Sequence, residues 1–555
     1  MTLASACLLA AVMQAPGHAE RQAGEPMFVV RTLPQSEGAP SRMVVSADAR
    51  AVHCLDALHR LGQAAGWNVT IESRPLEDEL RIESVDLDFA NQDPRMAALL
   101  IAVAGGADCI LQDAEPVEGA RSTLHVVRPP SADTPSGRQR LRALAQQWYR
   151  SFLRDELQHE PIVQQEAARV RMDFGRLLVE SGDLDAAIAF FAEASDMGPH
   201  DRVAEAILRV GQCHFDLARG HDDREKQIEE FAKAEEWARK LLGNMPRAPE
   251  VAPATVLLGK AMLGQATAAT DRDVLAEQAQ RCESELQARV IRLPDSVETL
   301  EVWLLAGLAQ FHLEQPEAVH ETVLTLRESS CFAELTGPQL LDYHFLLGYG
   351  ALGRRDADLA MRSFEWFLIH AGTDPRCGIA QVLLAESYLE QKRFVEARAA
   401  SVEARTRHLG TMSSTWRERA LRTWAKTALA LGEKEKAFLE LELIVSRGEE
   451  PALALFLVDE LLADRQWQRA ISVARPLASR QDAAGDEARF KTLVALYEQA
   501  AAGKHLAEFP PQAVVAAPRI ADPELQGRTA TMIGDAYMQL GMFEHAADAY
   551  RGILR

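Results

Sequence analysis

The stretch "IGDAYMQLGMFEHAADAYRGILR" places Ile533, Ala536, Tyr537 and Leu540 at helical spacing, so they form one apolar stripe. Gly541 interrupts the pattern, and Phe543, Ala546, Ala549, Tyr550 and Ile553 form a second stripe. Gly534 and Ala546 are small where the two helices must approach, and Tyr537 and Tyr550 are large enough to fill the space beside them. Neither helix can bury its stripe alone. A unit of this kind is stable when copies of it stack.

Copies occur upstream. "FGRLLVESGDLDAAIAFFAEASDMGP" carries Gly175, Gly182, Ala187, Phe191, Ala194 and Pro199 at matching offsets. Further copies carry Leu347, Gly348, Ala360 and Phe364; then Leu384, Ala385, Tyr388, Phe394, Ala397 and Ser401; then Trp424, Ala425, Gly432, Ala437 and Leu441. Weaker ones centre on Gly211, Gly259, Gly307 and Val458, with "RGHDDREKQIEE" read as an insertion between the helices around Gly211. This pattern resembles the tetratricopeptide repeat, whose period is about 34 residues. The resemblance implies a mainly α chain, an α–α superhelical solenoid over residues 140–555.

In that family the first helix of each pair lines the concave face. Carried over position by position, this puts Phe345 and Tyr349 there, then Val382, Glu386 and Leu389, then Arg419, Arg422 and Lys426. The three cations share one helix face by their spacing. With the aromatic pair they would clamp an extended peptide, carboxylates on the Arg forks and an apolar side chain on the rings. The plainer alternative is a solvated helix face, with Glu418 balancing the cations.

Before the helices the pattern changes. "MVVSAD", "NVTIES", "LRIESVDLDF", "DCILQD" and "STLHVVRP" alternate as strands; "AVHCLDALHRLGQAAGW" and "DPRMAALLIAVAGGA" have helical spacing. The predicted order is βαββαββ, a small α+β layer domain over 43–129. Ala57, Leu58, Leu61, Gly66, Val69, Ile71, Leu99, Leu100, Gly106 and the closing "LHVV" make it resemble the short N-terminal domain of secretins and signalling TonB-dependent receptors. Ala107 departs from that pattern, as does the long loop "QDAEPVEGAR". The resemblance implies a periplasmic domain that docks protein partners and carries no catalytic residue. Residues 20–42 and 130–139 have linker composition, and a helix over Leu141, Leu144, Trp148 and Phe152 is expected to cover the first repeat.

The N-terminus, "MTLASACLLAAVMQAPGHAERQ", has a short apolar run and small residues before Ala19, so residues 1–19 are expected to be a secretory signal peptide. No Lys or Arg precedes the run; a start further upstream would instead make Cys7 a lipidation site. Either way the expected location is the periplasm or the outer membrane.

The 555 residues carry a net charge of −21, which argues against a nucleic-acid partner. No stretch of the mature chain has the length and apolarity of a membrane span. The cysteines (Cys7, Cys54, Cys109, Cys213, Cys282, Cys331 and Cys377) form no C-x-x-C, and Cys54 with Cys109 is the one pair to weigh for a disulfide. No nucleotide-binding, zinc-protease or nucleophile-elbow motif is present. His312 and His320 read as surface residues, "GHDDRE" at 220–225 as a solvated loop rather than a cation site, and Asp86 and Asp88 as polar residues on a strand edge.

These readings converge on a non-catalytic envelope scaffold with a protein partner and no cofactor or metal. The alternative is an assembly factor or structural subunit of an outer-membrane secretion or pilus apparatus. Self-association through the C-terminal repeat is a further expectation, because Phe543, Tyr550 and Ile553 have few residues after them.

Overall fold

The computed structural model describes residues 28–33, 42–92, 94–105, 107–112, 121–128, 143, 146 and 161–554, apart from 199, 201, 270, 447–449 and 504. The expected leader, Cys7, the 130–139 linker and, of the expected helix over Leu141 to Phe152, all but residues 143 and 146 lie outside the described residues, as does most of the "QDAEPVEGAR" loop. The chain divides into two compact units, residues 1–278 and 279–555.

The first unit opens with two three-stranded sheets. One has the order β1 (Phe28–Leu33), β2 (Arg42–His53), β4 (Ser84–Gln92), antiparallel throughout. The other has the order β3 (Asn68–Ile71), β6 (Thr123–Val127), β5 (Asp108–Gln112), with β3 parallel and β5 antiparallel to β6. Three helices, α1 (Cys54–Ala65), α2 (Arg74–Ile82) and α3 (Pro94–Ala104), share one core with them. Leu58, Leu61, Leu76, Leu80, Ile101 and Val126 are fully enclosed there. Gly66 ends α1 in the left-handed region, at φ 75°.

This α+β region differs from the predicted element order in three ways. Phe28–Leu33, inside the expected linker, is a strand paired with β2, because Phe28 reaches the core and its neighbours complete a ladder. "LRIESVDLDF" is not one strand. Leu76 and Leu80, four apart and both buried, make the first part a helix that begins at Arg74 with Pro75 in its first turn, and alternation takes over only after Glu83. Val52 belongs to β2, opposite Val85, rather than to the helix after it. β4 lies at the edge of its sheet, as the "DLD" reading expected. Cys54 is a free thiol packed under Gly105, so it is not cross-linked to Cys109. Burial raises its pKa to about 11.

Helix pairs make up the rest. The first unit contains α4 (Pro161–Ser181) with α5 (Leu184–Asp196), α6 (Val203–Gly220) with α7 (Arg224–Asn244), and α8 (Val251–Ala268) followed by α9 (Arg272–Val290), within which the two units divide. The second unit contains α10 (Val297–His312) with α11 (Pro316–Glu328), α12 (Gly337–Gly353) with α13 (Ala357–His370), and α14 (Cys377–Glu390) with α15 (Phe394–Glu403). Then come α16 (Ser414–Ala430) with α17 (Lys434–Val445), α18 (Pro451–Ala463) with α19 (Trp467–Leu477), α20 (Ala483–Ala502) with α21 (Phe509–Ala516), and α22 (Pro523–Gln539) with α23 (Phe543–Tyr550). The pair α20–α21 carries no small-residue and aromatic signature, so the repeat pattern does not reveal it. "RGHDDREKQIEE" is mostly helix: Asp223 caps α7 by accepting from the N–H of Glu225, and only 221–223 form the turn.

Two devices recur within the pairs. The first is a close crossing. A Cβ built on Gly175, Gly348 or Gly534 would lie 2.5, 2.8 or 2.5 Å from a ring atom of Phe191, Phe364 or Tyr550, in each case sixteen residues later. Glycine lets the backbone of the first helix sit against the ring of the second.

The second device is the turn. Gly182, Glu314, Arg355, Lys392, Gly432, Arg465 and Gly541 are all left-handed, with φ between 57° and 83°. Each donates its N–H to the carbonyl three residues back, and the next residue donates to the carbonyl five back, as Lys392 does to Leu389 (3.0 Å) and Arg393 to Tyr388 (2.8 Å). That is the Schellman closure of a helix C-terminus. Four of these positions hold a side chain where glycine is favoured.

Two substitutions test these devices, read by hydrogen exchange because repeat arrays need not unfold in one step. Gly348→Val drives a methyl into the buried Phe364 ring and should lower the opening free energy of α12 and α13 by about 1–3 kcal/mol. Lys392→Gly relieves left-handed strain and should raise protection of α14 and α15 by up to about 1 kcal/mol.

Candidate functional site

The first helices of consecutive pairs touch one another, α10 with α12, α12 with α14 and α14 with α16, and so form a continuous row in the second unit. Their shared face is where the expected partner-binding residues fall, and the structure sorts them into distinct environments.

Phe345 is fully buried, with ring centroids 4.9 Å from Phe311 and 5.4 Å from Phe367. It offers no surface to a partner, and the sequence expectation for it is corrected: the position that faces the groove in an open array is covered here by Phe311 and by Arg376, whose guanidinium lies 5.3 Å from the ring. Tyr349 is 6% exposed, edge-on to Phe311 at 4.9 Å, and its phenol is pushed up to about 12 by burial. Val382 is fully buried.

Glu386 and Arg419 do meet. Arg419 donates Nε to Glu386 Oε1 at 2.9 Å and an Nη to Oε2 at 2.7 Å, and Thr423 Oγ1 donates to Oε1 at 3.1 Å. The charges of both act on Tyr349, so these three residues form one cluster. Arg422 and Lys426 lie one and two turns further along α16. Arg422 pairs with Glu418 on its own helix, and its guanidinium lies 5.8 Å from the Phe456 ring of α18. Lys426 is exposed, and its charge acts on Glu460. The three cations therefore do not act as one strip: only Arg419 faces the aromatic cluster.

Several residues in this face carry no signal in the sequence pattern. Arg376, at the start of α14, bonds Asp342 at 2.7 Å and Asp374 at 2.7 and 3.0 Å. Burial pushes the Asp342 carboxyl up. Burial acts the same way on Asp374, but the hydrogen bonds from Arg376 outweigh it and hold that carboxyl below its usual range. His312 is largely enclosed rather than a surface residue: burial, then the charge of Arg376, lowers its pKa to about 4. Its neighbour Phe311, in the last turn of α10, stacks on Trp416 in the first turn of α16 (5.9 Å between centroids, 16° between planes). The Arg419 guanidinium covers the Trp416 ring at 4.8 Å.

Trp416 owes its place to an irregular connection. Ala385 and Ala425 are the equivalent small positions of α14 and α16, forty residues apart, against thirty-seven from Gly348 to Ala385. The added length continues α15 as a π-helical turn, Ala404–His408, and a 3₁₀ turn, Leu409–Thr411. Leu409, Met412 and Trp416 pack with Val382, Ala404 and Ala420, and Gly378 lets Met412 and His408 close in on α14. A π-turn inside an α-helix is a frequent mark of a functional position. The long spacing is the one sequence signal that pointed here; the stack of Phe311 on Trp416, between residues more than a hundred apart, left none.

A second aromatic group lies on α12 and α13. His344 stacks on Trp366 at 3.8 Å, and Trp366 on His370 at 4.1 Å. His370 Nδ1 donates to the Trp366 carbonyl at 2.7 Å. Burial, then His370, lowers the His344 pKa to about 4.

Among the described residues, no helix is long and apolar enough to cross a membrane, and no three His, Cys, Asp or Glu side chains are grouped to hold a metal.

Residues 528–555 match the tetratricopeptide repeat family model. The terminal pair α22–α23 thus matches this repeat over residues 528–555; its glycine-under-ring crossing recurs at Gly175 and Gly348, and its left-handed turn at six earlier turns. Among curated proteins, none matches the chain in sequence. Similar solved structures include a thermophilic tetratricopeptide repeat protein of Thermus thermophilus (19% identity, 40% of this chain, all of that one, TM-score 0.27). A tetratricopeptide repeat protein of Parabacteroides merdae (16%, 51% and 93%, TM-score 0.30) and yeast Tom70 (12%, 73% and 94%, TM-score 0.29) are others.

The two depressed histidines set a pH dependence. A histidine whose folded pKa lies below its unfolded value of about 6.5 keeps its full contribution above that value and loses it as the pH falls toward about 4. The opening free energy of α10, α12 and α13 read by hydrogen exchange should therefore drop between about pH 7 and about pH 4.5, and His344→Phe should flatten that slope. An unchanged slope would mean His344 is not the group that titrates.

Proposed function

We propose that this chain is a non-catalytic protein-interaction scaffold of the bacterial cell envelope that receives a partner on the inner face of the first-helix row, residues 297–430. The observation that carries the reading is the cluster of Phe311, Tyr349, Glu386, Trp416 and Arg419. It combines aromatic rings with a cation held by a bidentate ion pair. Helix pairs fix the Phe311 and Tyr349 rings before any ligand arrives, so that part of the receptor loses little ordering entropy on binding. An arginine fork over an aromatic ring suits a carboxylate next to an apolar side chain.

The envelope location rests on the apolar N-terminal run and on the likeness of residues 43–129 to periplasmic docking domains. That likeness also favours the second reading, a fixed subunit of an outer-membrane secretion or pilus apparatus. In both readings the small domain docks one protein and the helix row another.

A C-terminally tagged chain, cross-linked in its native cells and recovered from fractionated envelope, tests this. A dominant protein partner in the periplasmic or outer-membrane fraction is expected, and Arg419→Ala should reduce its recovery about tenfold, the scale of losing one partly buried charged contact. Recovery from the cytoplasm alone, or a partner indifferent to Arg419→Ala, would overturn the reading.

A further inference from the structure

The inner face of residues 297–430 is already occupied by the chain itself. Helix axes in packed rows sit about 8–10 Å apart, so α10 and α16, three steps apart, would be well separated in a straight row. Yet Phe311 of α10 and Trp416 of α16 are stacked at 5.9 Å. The ring that closes this distance has several neighbours. Phe311 stacks on it, the Arg419 guanidinium lies 4.8 Å from its centroid, and it packs in one apolar cluster with Leu409 and Met412 of the inserted connection. Arg419 is in turn held by the Glu386 carboxylate. An indole on a phenylalanine and a carboxylate on an arginine thus sit side by side in one continuous cluster.

We propose that Trp416 and Glu386 form an intramolecular clasp filling a recognition site for an aromatic side chain next to a carboxylate. Phe311 is the floor of that site and Arg419 its anion-binding group. The inference rests on the inner-face reading and names the chemistry that would enter: an extended acidic segment bearing an aromatic residue, which displaces Trp416 from Phe311 and takes over the arginine fork. The clasp is suited to release. Trp416 is only half-buried, it lies in the first turn of its helix, and the preceding π and 3₁₀ turns can take up a shift without breaking a regular helix. The Phe311 floor, at 4% exposure and edge-on to both Phe345 and Tyr349, belongs to the core and stays in place.

The test uses the full chain and indole-3-acetate, which supplies the ring and the carboxylate in one small molecule. Trp416→Gly should leave the helical content intact and speed hydrogen exchange in the last turn of α10 and the first turn of α16. The expected change is about tenfold, the scale of one aromatic pair. Millimolar indole-3-acetate should bind this variant, restore the protection, and bind the unaltered chain at least about tenfold more weakly, because its own indole competes. Adding Phe311→Leu should abolish binding.

Unchanged exchange in folded Trp416→Gly, or equal binding of indole-3-acetate to both chains, would overturn the proposal. Should Trp416→Gly fail to fold, Phe311→Leu alone decides. It removes the floor from the other side and should speed exchange in the first turn of α16; unaltered exchange there would sink the clasp. If protection is restored by indole-3-acetate but Trp416→Gly recovers the cellular partner no differently, the site stands and the inner-face reading fails instead.

Discussion

The structure depends on how closely two helices of a pair can approach. At Gly175, Gly348 and Gly534 the backbone of the first helix rests on an aromatic ring of the second, at a distance no Cβ would tolerate. Once that crossing is fixed, the Schellman turn between the helices has one length, and the side chains around the crossing become either core or surface. The left-handed residue is kept even where it is Glu314, Arg355, Lys392 or Arg465. Strain at those turns is tolerated because the packing on both sides over-determines the backbone.

Pairs so built stack by apolar burial, and a few buried polar contacts tie them together. Gln310 joins Glu283 at 3.0 Å to Thr322 at 2.8 Å, linking α9, α10 and α11. Asp486 accepts from Arg489 and also, at 3.0 Å each, from the backbone N–H groups of Ala521 and Asp522, and so pins α20 to the start of α22. Such contacts add direction to a packing that would otherwise be set by shape alone.

The inner face of the second unit shows what stacking adds. Arg376 and Arg419 are engaged by Asp342, Asp374 and Glu386, carboxylates of other helices or turns. Asp342 and Glu386 reach their arginines because adjacent first helices pack directly on one another, and Asp374 lies in the turn just before Arg376. An irregular connection, the π and 3₁₀ turns after α15, places Trp416 against Phe311.

The helix pairs were legible in the chain because their signals are local. Period, glycine breaks and the sixteen-residue spacing of small residue and ring all lie within one pair, as at Gly534 and Tyr550. The α+β character of the N-terminal region was legible for the same reason, although β1 hid in a Pro- and Gly-rich stretch and α2 in an apparent strand. The pair α20–α21 escaped because its second helix carries no ring at the crossing position. Of the candidate site, the sequence placed Glu386 and Arg419 on neighbouring first helices, since one repeat offset relates them. It offered Glu418 as a balance for the cations, and Arg422 does turn to it, but it could not tell that Phe345 would be buried or that Phe311 would meet Trp416. Those outcomes depend on how successive helices pack, and the approach of α16 to α10 is the sum of small rotations at several interfaces. No single interface in the sequence encodes that sum, so only the tertiary structure decided which inner-face residues are open and which are already engaged.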